Sequence, residues 1–453
     1  MMKSCRARDR KGLVLAIAIA LGVPATTAWA DELQDLKAQV EALLKRVAEL
    51  EQKQEKTEQN QAAAPANNAP ANNVVTGGAT PGSFKLPGSN TSVTLGGYVK
   101  LDAVFSNPSA GVDQKADLEL DPTAIPVGPG AGNNERNQVK FGARESRFFM
   151  KTNTPTEVGD LNTHIEVDFY GADGNESVSN SQGLRLRHAY GTLGHLLAGQ
   201  TWTNFMNAAS LPDTLDFGGP VGQIFDRQAQ VRWTQSFDPS EWTSGGQWSV
   251  ALENPESVVQ IPGGGSFRAD DDRFPDFTGQ VLFNTSRGKI SFHGLVRQIR
   301  VDSPSAPETK AQKFGGAFSV AGVIPAVGKD DFRFTASVGN AIGRYLDGFF
   351  PDGVIAADGT LGLPKQWGWF AAYRHYWFDQ LRSNVVLSSA SESNPAGSPG
   401  NTNRSTASAH VNLIWSPVAN SDLGIEYIFA NRETEDGLKG HLNRFQTSVK
   451  YTF

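Results

Sequence analysis

Residues 92–106 read SVTLGGYVKLDAVFS. Val93, Leu95, Val99, Leu101, Ala103 and Phe105 share one parity; Thr94, Tyr98, Lys100 and Asp102 share the other. Successive side chains of a strand point to opposite faces, so this spacing predicts a strand apolar on one side and polar on the other. The period recurs in DLNTHIEVDFYG (160–171), where Leu161, Ile165, Val167 and Phe169 oppose His164, Glu166, Asp168 and Tyr170. It closes the chain, where Phe445, Thr447, Val449, Tyr451 and Phe453 oppose Arg444, Gln446, Ser448, Lys450 and Thr452.

About sixteen such segments are legible. They lie near 92–106, 138–152, 160–171, 183–193, 195–203, 228–236, 246–254 and 274–285. The rest lie near 288–300, 313–323, 331–343, 366–378, 380–390, 404–416, 421–431 and 442–453. Long connections (107–137, 204–227, 255–273, 344–365, 391–403) alternate with short ones (194, 286–287, 379, 417–420). An even strand number with tight turns at one end and long loops at the other predicts an all-β fold, a transmembrane antiparallel β-barrel over 83–453. A soluble sandwich or solenoid fits less well. Trp367, Trp369, Tyr373 and Trp377 share one face, as do Tyr427 and Phe429. Such rings suit a lipid interface and promote aggregation in water.

Composition agrees. The chain has 453 residues, 47 of them glycine, and only 39% are hydrophobic. No run is apolar enough for a spanning helix, while a barrel's alternating faces average to modest hydropathy.

The N-terminus reads as a secretory signal over 1–30. Lys3, Arg6, Arg8, Arg10 and Lys11 precede an apolar run from Gly12 to Val23, and Ala28-Trp29-Ala30 fits a small-x-small cleavage site. A short uncleaved anchor is the alternative. Cys5 is the only cysteine and leaves with the signal, so the mature chain is expected to hold itself together without disulfides. Net charge is −6 for the whole chain. It becomes about −10 once five bases and Asp9 leave, which argues against nucleic acid as a partner.

Residues 31–61 predict a coiled coil on the periplasmic side. Leu33, Leu36, Val40, Leu43, Val47 and Leu50 alternate spacings of three and four. Arg46 and Glu51 have the offset of an interchain pair, and Leu44 widens the stripe toward three helices. A helix lying on another domain is the alternative. Residues 62–82, AAAPANNAPANNVVTGGATPG, predict a flexible linker.

GLRLRHAY (183–190) carries the chemistry. Leu184 and Leu186 are assigned to lipid, Arg185 and Arg187 to a wet lumen, because an arginine facing lipid at mid-membrane costs about 2–4 kcal/mol. By the same parity His188 falls on the lipid face, at the interface. Arg144, Arg147, Arg185, Arg187, Arg227 and Arg232 are the candidate solute-binding residues, with Arg297 beside them. Arg144 and Arg147 differ in parity, so both line the pore only through a bulge. Guanidinium groups grip carboxylates bidentately and keep their charge. The plainer reading pairs them with lumen acids such as Glu145, Glu166 and Asp168.

NFMNAASLPDTLDFGGPVGQIF (204–225) is the candidate constriction loop, folded into the lumen by Gly218-Gly219-Pro220, with Asp213, Asp216 and Phe217 as its site residues. Asp213 and Asp216 are expected within reach of Arg227 and of the Arg185–Arg187 face. The alternative is a loop that contacts a neighbouring protomer. Much negative charge sits elsewhere, in Asp113, Asp117, Glu119, Asp121 and Asp270 to Asp272, and is read as an acidic mouth. VGPGAG (127–132) lacks the Lys-Ser/Thr of a phosphate loop. The seven histidines show no metal spacing. No cofactor is expected. A His-Ser enzyme at the lipid face has only His188 to support it.

The stretches RESRFFMKTNT (144–154), LRLRHAYGTLGHLLAGQTWTNF (184–205), LDFGGPVG (215–222) and RQAQVRW (227–233), with the layout of signal, coil, linker and barrel, resemble the DcaP-like trimeric outer-membrane porins. The resemblance covers most of residues 31–453. It implies homotrimers in the outer membrane of a Gram-negative bacterium and passive uptake of small anionic organic solutes, dicarboxylates above all. A weakly selective general porin and a tether between outer membrane and cell wall are the alternatives. The sequence does not name the solute.

Overall fold

The structure is a computed structural model. It describes Lys45, Arg46, Glu49, Gln52 and residues 75–108, 118–133, 136–175, 178–241, 243–262, 265–269, 272–303, 309–347 and 349–453. Of the expected coil, the four described residues are helical and exposed. The apolar seam at 33–50, Glu51, the signal and most of the linker lie outside the described residues.

Sixteen wall strands form a closed antiparallel barrel. They are β1 (Ser92–Asn107), β2 (Gln138–Gly142 continued by Arg147–Thr156), β3 (Gly159–Asn175) and β4 (Ser181–Leu193). Then come β5 (Leu196–Trp202), β6 (Arg227–Phe237), β7 (Gly246–Glu253) and β8 (Asp276–Thr285). β9 (Gly288–Ser303), β10 (Thr309–Pro325), β11 (Asp331–Asn340) and β12 (Lys365–Phe378) follow. β13 (Leu381–Ser393), β14 (Asn403–Trp415), β15 (Ser421–Thr434) and β16 (Lys439–Thr452) complete the wall. Each strand pairs with its neighbour in sequence. β16 returns to β1, from Asn443 opposite Asn107 to Thr452 opposite Tyr98. Closure leaves no sheet edge to the membrane. The sixteen alternating segments read from the sequence correspond to these sixteen strands.

The two faces separate as the alternation requires. On β1, Leu95 and Val99 are 61% and 53% exposed, while Lys100 and Asp102 are 4% and 5% exposed. The ring-bearing face of β12, with Trp367, Trp369, Tyr373 and Trp377, is exposed as well. The outward side is therefore the apolar one, as only a lipid-facing wall allows.

Described parts of several long loops pack on one another or inside the wall. Ser257–Gln260, Ser266–Ala269, Gly353–Ile355 and Leu361–Gly362 form a small second sheet from the loops after β7 and β11. Inside, Leu120, Ile125, Phe205, Val221, Ile224, Ile342, Tyr345, Leu346 and Phe350 form one buried apolar cluster. These residues come from the loops after β1, β5 and β11, so three loops share a core within the wall. VGPGAG becomes part of a 3-10 segment, Gly128–Asn133.

Candidate functional site

The segment between β5 and β6 turns inward at Thr203 and touches polar side chains on the inner face around the wall. The Asn204 carbonyl oxygen lies 3.1 Å from His293 Nδ1, and Asn207 donates to Ser291. Arg333 donates to the Leu211 carbonyl and Asn412 to that of Asp213. Lys100 and Gln446 donate to the Leu215 carbonyl. The backbone N–H groups of Leu215 and Asp216 donate to Glu426, and that of Val221 to Ser408. Gly222 shows how closely the loop backbone meets the wall. Its φ is +78°, and a Cβ there would lie 2.4 Å from the Ser389 carbonyl oxygen and 2.8 Å from the Trp369 nitrogen. Only glycine fits such an approach.

The expected partners of the loop carboxylates are corrected here. Asp213 pairs with Arg382 at 2.6 Å. Asp216 accepts from the backbone N–H groups of Leu120 and Gly219 and lies 3.9 Å from Arg444. Neither carboxylate pairs with Arg185, Arg187 or Arg227. The residue that does reach that wall is Phe217. Its ring stacks on Tyr170 at 4.8 Å and lies under Arg185 and Arg187, 5.2 and 5.4 Å from their guanidinium carbons.

The arginines of β4 are paired, as the plainer reading had it. Arg185 grips Asp168 bidentately at 3.0 and 2.7 Å. Arg187 bridges Glu166 at 2.7 Å and Asp168 at 2.8 Å. Arg147 adds a contact to Glu166 at 3.3 Å and stacks on Tyr98. Glu145, offered as another partner, is taken by Lys100 and the Tyr98 hydroxyl.

Two irregularities set this geometry. Between Gly142 and Arg147, β2 carries one more residue than β1 across from it, since Gly142 faces Asp102 and Arg147 faces Tyr98. The extra residue resolves the parity conflict. Arg144 is 3% exposed and donates to the Ala172 carbonyl, while Arg147 joins the lumen pairs. On β4, Glu166 faces His188 and Val167 faces Leu186, so Arg187 is the extra residue of a bulge. The bulge overturns the lipid-face expectation for His188. That ring is buried, 2.9 Å from Thr201 Oγ1, stacked on His164 and edge-on to Trp202.

Arg227 and Arg232 differ from the β4 pair. Arg232 donates to Gln230 and to the Trp202 carbonyl. Arg227 lies over Trp202 at 4.4 Å and Phe225 at 5.6 Å, and its Nη1 is buried without a hydrogen-bond partner. No ion pair to either arginine is found among the described residues. Arg227, Arg185, Phe217 and Phe225 line a cavity of about 200 Å³ that Glu119, Asp226 and Asp347 close from the loops. Asp226 is occupied by Arg344 at 3.5 Å. Arg297 is fully buried between Asp276 and Asp352 and lies over the Tyr345 ring, so it ties the loops after β7 and β11 to the wall.

Three of the acids read as an acidic mouth are described, and each is placed by the fold. Asp121 caps a 3-10 turn through the Thr123 N–H, Glu119 is buried, and Asp272 accepts from Ser257 and the Arg300 N–H. Asp113, Asp117, Asp270 and Asp271 lie outside the described residues. Sequence reading missed Lys100, Arg333, Arg374, Arg382 and Arg344. Of these, Lys100, Arg333, Arg374 and Arg382 sit on the polar parity of alternating strands, a signal that was available.

The model for the DcaP outer membrane protein family matches residues 29–453. The chain belongs to that family. The outer membrane channel DcaP of Acinetobacter baumannii has a solved structure 25% identical to this chain. The match covers 83% of this chain and 100% of that one, at a TM-score of 0.70. OmpT of Vibrio cholerae, 12% identical, covers 80% of this chain with 98% of its own, at a TM-score of 0.50, and shows the fold alone. A search of curated proteins found no match. The DcaP family member described here is thus an outer-membrane porin, with its barrel in the outer membrane of a Gram-negative cell.

Proposed function

We propose that this porin passes small anionic organic solutes, with dicarboxylates as the preferred class, and that the loop 204–225 forms the constriction. The observation that carries the reading is Arg227, a guanidinium held on two aromatic faces with a buried, unpartnered Nη1 and no ion pair among the described residues. Arg147, Arg185 and Arg187 share Glu166 and Asp168 as ion-pair partners among the described residues, so this wall is richer in positive than in contacting negative groups. A permanent positive charge in a narrow lumen favours anions and raises their local concentration. Arg185 and Arg227 line one cavity, so a solute with two linked carboxylates engages both at high effective concentration. The apolar rings of Phe217 and Phe225 give its carbon body a surface. The homotrimer is part of the same proposal and rests on the family resemblance.

Current through single pores tests this. Dicarboxylates are expected to interrupt chloride current at lower concentration than monocarboxylates, and Arg227→Gln is expected to erase the difference. Equal block by both classes in the wild type would remove the dicarboxylate preference. A second reading, a weakly selective general porin, has its own support. Arg185, Arg187, Arg333, Arg374 and Arg382 all sit against carboxylates, which leaves a lumen of balanced charge.

A further inference from the structure

At the loop end of β13, away from the arginine wall, a carboxylate is buried without a cation. Glu392 is 3% exposed. Gln366 donates to its Oε2 at 3.1 Å, the Asn394 side chain acts on the same carboxylate, and its Oε1 is buried with no partner within hydrogen-bond distance. The charged neighbours that act on it through space, Glu435 and Asp352, are both negative. Asp352 is matched by Arg297. No ion pair holds Glu392 or Glu435 among the described residues.

Two more oxygens nearby lack donors. Asn394, two residues along from Glu392, donates its amide to Glu435 and to the Asn403 carbonyl, both at 3.1 Å. Its Oδ1 is buried and unpartnered. Thr402 is 2% exposed, its carbonyl accepts the Glu435 N–H at 2.9 Å, and its hydroxyl is buried without a partner. Buried acceptors without donors are costly, and a buried carboxylate more so. Two carboxylates, an amide oxygen and a hydroxyl, with no nitrogen or sulfur donor, are the ligand chemistry of a hard divalent cation.

We propose that Glu392, Asn394, Thr402 and Glu435 form a binding site for Ca²⁺ or Mg²⁺ at the loop end of the barrel. The ion neutralises Glu392 and ties the β13–β14 loop to the turn between β15 and β16. Asn403 extends the tie to the loop after β11 through its bond to the Phe349 carbonyl at 2.7 Å.

The test is calorimetric titration of the folded, full-length protein in detergent, washed free of metal with EDTA, with CaCl₂ and with MgCl₂. Thermal unfolding is followed in parallel. One site is expected, weakened at least tenfold in Glu392→Gln and in Glu435→Gln. With EDTA present, Glu392→Gln is expected to unfold at or above the wild-type temperature, because the amide removes an uncompensated charge, and to gain nothing from Ca²⁺. Glu435 is partly exposed, so Glu435→Gln carries the test if Glu392→Gln fails to fold. A wild type that binds neither ion, or glutamine variants that bind as the wild type does, overturns the proposal.

Discussion

Asp168 and Arg227 sit on the same wall and are expected to act in opposite senses when changed. Asp168 is fully buried and holds both Arg185 and Arg187. Asp168→Asn should raise anion preference, since two guanidinium groups lose their shared counter-charge. It should also destabilise the barrel by about 2 kcal/mol, below the usual cost of breaking a buried pair because Arg185 remains in contact with lumen water. Arg227→Gln should lower anion preference with little loss of stability, as no carboxylate is stranded. Reversal potentials and unfolding temperatures of the two variants decide this. A shift in the same direction for both would mean that these side chains build the wall and do not set the field. The sequence offered Glu166 and Asp168 as partners of the lumen arginines but left open which arginines they hold. The Arg187 bulge moves one residue out of register and brings His188 inward, and strict alternation cannot foresee an extra residue. That Arg185 and Arg187 face inward was legible, because burying arginine against lipid is too costly.

At the level of elements, strands were legible and loops were not. Period-two patterning is local, so SVTLGGYVKLDAVFS announces β1 on its own. Asp213 meets Arg382 across a sequence separation of 169, and only the closed barrel brings them together. Deleting 208–222 should raise single-channel conductance. It should also free Arg382 of Asp213 and so shift the pore further toward anions. Unchanged conductance would place the loop off the permeation path. The turn before β11 offers a pH test. Asp330 accepts from the Tyr373 hydroxyl and the Tyr376 N–H, and lies 2.7 Å from His375 Nδ1. These contacts hold its carboxyl down at about 2. A depressed carboxyl pKa stabilises the fold above about pH 4 and loses that contribution as pH falls toward 2. Asp330→Asn should therefore lower the unfolding temperature at pH 7 and leave it unchanged near pH 2. An equal loss at both values would deny the carboxylate its role.

The whole molecule joins a barrel to an N-terminal segment that patterns as a coiled coil. Sixteen strands were countable because lipid and lumen impose opposite chemistry on alternate residues along the whole wall. The coil's contribution to assembly is a separate question. Deleting 31–61 should leave heat-resistant oligomers on a gel, since barrel walls bury more surface than a short coil. Monomers after that deletion would make the coil the main clamp. Anion preference is the central claim at this scale, and in a chain of negative net charge it rests on the guanidinium groups gathered on the wall that carries Arg147, Arg185, Arg187 and Arg227. The most direct measurement is the zero-current potential of the wild-type pore in a planar bilayer under a tenfold KCl gradient. The account predicts the sign set by chloride, growing when chloride is replaced by a small dicarboxylate on the concentrated side. A potential of zero, or one with the sign set by potassium, would contradict it.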